Sequence, residues 1–97
     1  MIGDYVSEFL GLNMKIMKHS NPNNIGKEGT VAFETARTLV ILSNGRRLII
    51  PKETGEFNLT DGQRNLRIVG DLIAMKPEER LKNYRKIAKK LQQREGD

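Results

Sequence analysis

Through most of its length the chain alternates apolar and polar positions with the two-residue period of strands, and a helical period takes over only towards the C-terminus. Leu12, Met14 and Ile16 alternate with Asn13, Lys15 and Met17, which predicts a half-buried strand over 12–17. Val31 and Phe33 alternate with Ala32 and Glu34 in a second strand. Residues 34–37 supply a polar reversal before a third strand over 38–42. Asn44-Gly45 then sits between two apolar runs, the pair favoured in type I′ hairpins because both central residues take positive φ. A two-residue loop there sets the register: Ser43 faces Arg46, Leu42 faces Arg47, Ile41 faces Leu48, Val40 faces Ile49 and Leu39 faces Ile50. Leu39, Ile41, Leu48 and Ile50 share one face of this hairpin and Val40, Leu42 and Ile49 the other, so both faces are expected to need cover. Pro51 cannot donate to a ladder, and pairing should stop or reach a sheet edge there. After a turn at 53–55, residues 56–59 form a short strand, and a second turn at 60–62 follows. Leu66 and Ile68 alternate with Arg67 and Val69, and Leu72 and Ile73 continue the apolar pattern to Met75. Six short strands joined by closely spaced turns predict a small antiparallel barrel or sandwich over 12–75.

The ends read differently. Asp4 can cap a short helix over 4–11, with Tyr5 and Phe9 one turn apart and Gly11 as terminator, forming a strap over one end of the sheet. Lys76-Pro77-Glu78-Glu79 starts a second helix over 76–93, with proline at its first position and acids beside the positive end of the dipole. Leu81, Tyr84, Ile87, Ala88 and Leu91 make one apolar stripe. Lys82, Arg85, Lys86, Lys89 and Lys90 stand opposite, so this helix is amphipathic and basic. The tail 92–97 is polar and is expected to fray.

Ninety-seven residues make one domain, 1–97. Seventeen basic against twelve acidic side chains leave a net charge of +5, which makes a polyanion the natural partner. The absence of cysteine removes disulfides, a zinc ribbon and a thiolate catalyst. No apolar run is long enough to span a membrane, and Asp4 and Glu8 interrupt the start where a signal peptide would be apolar, so the chain is expected to be cytoplasmic and complete. His19, the only histidine, has no ligand-spaced neighbours, and no Gly-rich phosphate loop opens a helix; no catalytic or metal residue is expected. Glu34, Glu53, Glu56, Asp61 and Asp71 fall in turns or at strand ends, where acids usually cap or solvate. What remains is a set of basic residues at turns and strand ends: Lys27, Arg37, Arg46, Arg47, Lys52, Arg64, Arg67 and Lys76. They suit phosphate contacts. The five aromatics, Tyr5, Phe9, Phe33, Phe57 and Tyr84, are too few for a stacking platform, so folded RNA recognised by shape and backbone is the expected target.

Gly26-Lys27-Glu28-Gly29-Thr30-Val31, Glu34-Thr35-Ala36-Arg37-Thr38-Leu39, Ile50-Pro51-Lys52, Phe57, Gly70-Asp71-Leu72 and Lys76-Pro77-Glu78-Glu79-Arg80 resemble, in order and spacing, the archaeal family of ribonuclease P protein component 1. Phe9-Leu10-Gly11-Leu12 is similar as well. The resemblance implies a six-stranded Sm-like or SH3-like barrel with helices at both ends, in a non-catalytic subunit. In that particle an RNA removes the 5′ leader of precursor tRNA using Mg²⁺, with no cofactor bound by this chain. It also implies a zinc-ribbon protein partner, which carries the zinc. On the subunit reading Arg37, Lys52, Lys76 and Arg80 are expected to supply phosphate contacts. Lys76 stands where the family often has arginine, and Arg37 where it often has asparagine. Two other readings are an Sm-like or SH3-like module whose edge binds a peptide strand, and a ribosomal protein of similar architecture.

Overall fold

In a computed structural model that describes residues 2–5 and 7–96, the strands are β1 (Asn13–Lys18), β2 (Glu28–Glu34), β3 (Thr38–Ser43), β4 (Arg46–Pro51), β5 (Glu56–Thr60) and β6 (Asn65–Val69). They form one antiparallel sheet in the order β4-β3-β2-β1-β5-β6. The sheet curls around a single core in which Met14, Ile16, Val31, Leu39, Ile41, Ile50, Phe57, Leu59, Leu66 and Ile68 are buried. Its two edges, β4 and β6, approach each other where they end. The Gly70 amide donates to the Gly55 carbonyl at 2.7 Å, and a side chain at Gly70 would collide with the Lys52 carbonyl, so this approach requires glycine.

The β3–β4 hairpin has the register set by its turn, from Ser43↔Arg46 to Leu39↔Ile50, with Asn44 and Gly45 at φ 51° and 77°. Pro51 closes the ladder against Thr38 on the edge strand. One face of the hairpin packs into the core, and on the other only Val40 is buried. Leu39, Ile41 and Ile50 lie in the core, whereas Leu42 and Ile49 on the other face are 47% and 64% exposed.

Strand β2 departs from plain alternation. Val31 pairs with Ile41 and Phe33 with Val40, so Ala32 is an extra residue and the strand bulges. Beyond the bulge the phase reverses: Phe33 turns outward, 59% exposed, and Glu34 turns inward, 6% exposed. The acid expected to solvate a turn is thereby delivered to the interior.

Helix α1 covers only Ile2–Tyr5, not 4–11. The reason is competition from the sheet: the Gly11 amide donates to the Val31 carbonyl and the Val31 amide to the Leu12 carbonyl, both at 2.8 Å, which draws this segment into strand pairing. Gly11, at φ 87°, serves this reversal instead of ending a helix. The strap itself is present, because Tyr5 and Phe9 are buried and the Tyr5 hydroxyl accepts from the Val69 amide at 2.9 Å.

After β6 the chain leaves the ladder in a 3-10 turn, Gly70–Ile73, where the apolar run suggested continued strand. The C-terminal helix is divided at Asn83 into α2 (Pro77–Lys82) and α3 (Tyr84–Gly96); Asp97 lies outside the described residues. Pro77 and the acids Glu78 and Glu79 start α2 as expected. The inward stripe differs, however. Leu81 is 71% exposed, and Arg80, Ile87 and half-buried Leu91 take the positions against the sheet.

Candidate nucleic-acid interface

Glu34, brought inside by the β2 bulge, is clasped by two cations. The Lys52 ammonium donates to its Oε2 at 2.9 Å and the Arg80 guanidinium to its Oε1 at 3.0 Å. Lys52 follows directly on β4 and is completely buried. Its other two protons go to the carbonyls of Thr35 and Met75, at 2.7 and 2.9 Å, so all three donors are satisfied. Arg80 projects from α2 and also donates to the carbonyls of Tyr5 and Ser7, at 2.8 and 2.9 Å. Its guanidinium lies 3.8 Å above the centre of the Phe9 ring. Burial pulls both cations below their ordinary pKa values, and the Glu34 carboxylate opposes that shift.

This cluster ties β2, the end of β4, α2 and the N-terminal strap together. It also corrects the expected set of phosphate contacts. Lys52 and Arg80 are 0% and 3% exposed, with every Lys52 donor and the two terminal Arg80 nitrogens bonded to protein acceptors and Arg80 Nε buried without one, so neither can present charge to a polyanion. They hold the frame on which other cations stand.

The remaining seven expected contacts are exposed, and they are dispersed. Arg37, in the β2–β3 turn, lies 3.6 Å from Glu53. Lys27 precedes β2 beside a polar cleft formed with Asn13, Ser43 and Asn44. Arg46 and Arg47 leave the hairpin tip, and Lys76 stands at the start of α2. Arg64 is 3.9 Å from Asp61 in the β5–β6 turn, and Arg67 of β6 is 3.9 Å from Glu56. Two more cations reach Glu56: Lys18 at 3.8 Å and Arg94 at 3.9 Å. Sequence reasoning passed over Lys15, Lys18 and Arg94. Lys15 was legible as an outward position of β1, but only the strand order reveals that β5, and beyond it β6, lie on one side of it.

The outer surface of the sheet is thus split. On β2, β3 and β4, Phe33, Val40, Leu42 and Ile49 surround a shallow apolar hollow of about 430 Å³ with Arg47 at its rim. On β1, β5 and β6 the outward residues are polar or basic apart from Met17 at the β1 bulge, which is 39% exposed, and half-buried Val69. Among the described residues no group of three His, Cys, Asp or Glu side chains is arranged to hold a metal ion.

Residues 5–83 match the sequence family described as Ribonuclease P/MRP, subunit p29. The chain belongs to that family. Among similar proteins, ribonuclease P protein component 1 of Thermoplasma volcanium is 41% identical over 87 residues, covering 90% of this chain and 94% of the relative. That of Thermoplasma acidophilum is 41% identical over 87 residues, covering 90% and 95%. A solved structure, Mth11, a homologue of human RNase P protein Rpp29, superposes with a TM-score of 0.61 at 31% identity, over 75% of this chain and 96% of that one. Membership of the p29 family makes the chain a ribonuclease P protein subunit, and such a subunit belongs to a particle with an RNA and other proteins. In this family member no helix among the described residues is long and apolar enough to cross a membrane.

Proposed function

We propose that this chain is a non-catalytic RNA-binding subunit of ribonuclease P that supports RNA-catalysed removal of the 5′ leader from precursor tRNA. The observation that carries the reading is the division of its basic residues. Two are locked inside as a frame, and the others are exposed on strands, turns and the last two helices, where they can meet phosphates. Catalysis, and the Mg²⁺ it uses, belong in this reading to the RNA. The exposed apolar face of β2, β3 and β4 suits a second protein, and the zinc-ribbon subunit implied by the family likeness is its proposed occupant.

The test is reconstitution of precursor-tRNA cleavage from the catalytic RNA and the other protein subunits, with and without this chain, across a Mg²⁺ series. Addition is expected to raise the rate or lower the Mg²⁺ requirement, and the protein without RNA is expected to cleave nothing. A Phe33→Ser, Ile49→Ser variant should fold but lose co-purification with the zinc-ribbon subunit. An unaltered rate at every Mg²⁺ level would remove the proposed support of RNA-catalysed cleavage and bring the peptide-binding module forward.

A further inference from the structure

The ladder registers align outward-facing residues of β1, β5 and β6 in two rows across the sheet, Asn13–Thr60–Asn65 and Lys15–Asn58–Arg67. Neither row contains an aromatic or aliphatic side chain. Lys15 and Arg67 therefore flank Asn58 by one strand spacing on each side, so that their backbones stand roughly 10 Å apart. The Asn58 amide makes only a long contact, 3.4 Å to Asn65, and keeps its carbonyl oxygen and a second N–H for a partner. Two acids share this side of the sheet. Glu28, across from Lys15 on β2, is engaged by the Asn13 amide at 2.7 Å, and Glu56 lies among Lys18, Arg67 and Arg94. Four cations against two carboxylates leave the face positive.

This arrangement matches one polymer better than others. Cations on both sides suit phosphates, and a neutral amide between them can donate to and accept from a ribose 2′-hydroxyl. A face without rings offers no stacking platform for bases. The opposite, apolar half of the sheet lacks the amides and has one cation, Arg47. We infer that the outer face of β1, β5 and β6 binds the ribose-phosphate backbone of folded RNA, with Lys15 and Arg67 on phosphates and Asn58 on the 2′-hydroxyl between them. The inference rests on the RNA-binding reading above and adds to it a place and a preference for RNA over DNA.

The full chain is titrated with a ribonuclease P RNA transcript over a series of monovalent salt concentrations. Lys15→Ala with Arg67→Ala is expected to weaken binding about tenfold or more and to reduce the salt slope by roughly two, one for each lost phosphate contact. Arg46→Ala with Arg47→Ala, at the hairpin tip, should cost less. Asn58→Ala should keep the salt slope but lose preference for an RNA duplex over a DNA duplex of the same sequence. All these positions are outside the core, and circular dichroism verifies that each variant is folded. If the wild type binds the transcript with salt dependence and the Lys15, Arg67 variant matches it in affinity and slope, the face is wrong while the subunit reading stands. A wild type that does not bind at low salt overturns both. Retained RNA preference in Asn58→Ala overturns the 2′-hydroxyl contact.

Discussion

Glu34 and Glu56 are each reached by more than one cation, and their situations are opposite. Glu34 is buried and bonds Lys52 and Arg80 at 2.9 and 3.0 Å, with both cations 4% exposed or less at their side chains. Glu56 has three cations, Lys18, Arg67 and Arg94, at 3.8 to 3.9 Å, and their side chains are 69%, 60% and 51% exposed. By partner count Glu56 is better served. By dielectric it is not, because charges in water at nearly 4 Å interact at about 1 kcal/mol, and much more strongly in an interior. The interior cluster is committed to the fold, since removing one member leaves the others charged and dry. The wet cluster can exchange its carboxylate for a phosphate at little cost. A basic residue near an acid is therefore assigned to structure or to recognition by what it does to water, not by charge.

The largest effect should come from breaking the interior cluster. Glu34→Gln leaves Lys52 and Arg80 buried without a counter-charge, and the expected loss is about 3–5 kcal/mol of unfolding free energy, read from urea denaturation with an unaltered m-value. Replacing all three, Glu34→Leu, Lys52→Met and Arg80→Met, sharpens the comparison. The desolvation of the ions disappears with the ions, so stability should partly recover above the single variant. Recovery should stay incomplete because the carbonyls of Thr35, Met75, Tyr5 and Ser7 lose their donors. A triple variant no more stable than Glu34→Gln would show that the cations contribute through those carbonyls more than through the acid.

The same contrast explains what the sequence could disclose. The Asn44-Gly45 turn and its flanking alternation are local, and they determine the β3–β4 register pair by pair. The strand count and the Pro77 helix start are local too. The fate of Glu34 is not local, because it depends on a single extra residue, Ala32, that reverses the phase of β2. Simple alternation put Val31 and Phe33 on one side. Only the partner strand shows that they are on opposite sides. With Glu34 inside, Lys52 and Arg80 must follow it, which is why two residues with ordinary surface chemistry leave the candidate interface and displace Leu81 from the helix stripe. The grid of Lys15, Asn58 and Arg67 was hidden for a related reason: its members come from strands far apart in sequence, brought together by the order β1-β5-β6.

At the wet cluster, Glu56→Gln should alter stability by less than about 1 kcal/mol, as exposed pairs do. Its consequence should appear in binding. Without the carboxylate, Lys18, Arg67 and Arg94 lose the one acid they share, and RNA affinity at low salt is expected to rise by a small factor, with the gain vanishing at high salt. A drop in affinity would mean that Glu56 positions these cations for RNA, and would turn the comparison around, making the exposed acid as structural as the buried one.

The smallest effect belongs to a third acid, which is exposed and has a single cation near it, Arg64 at 3.9 Å. Asp61 Oδ1 accepts the backbone amides of Gln63 and Arg64 at 2.8 and 2.9 Å in the β5–β6 turn, and these bonds hold its pKa below the ordinary 3.8. Because the folded value is depressed, the unfolded chain takes up the proton first as pH falls. The stabilisation is thus present above 3.8 and is lost as pH drops through the folded value. Asp61→Asn keeps an acceptor oxygen but has no charge to titrate. Its denaturation midpoint should fall below that of the wild type at neutral pH, and the gap should narrow well below 3.8, where the wild-type carboxyl is protonated too. A gap that stays constant with pH would attribute the turn to amide geometry alone. In that case the charge at Asp61 would matter to the fold no more than the charge at Glu56 is expected to.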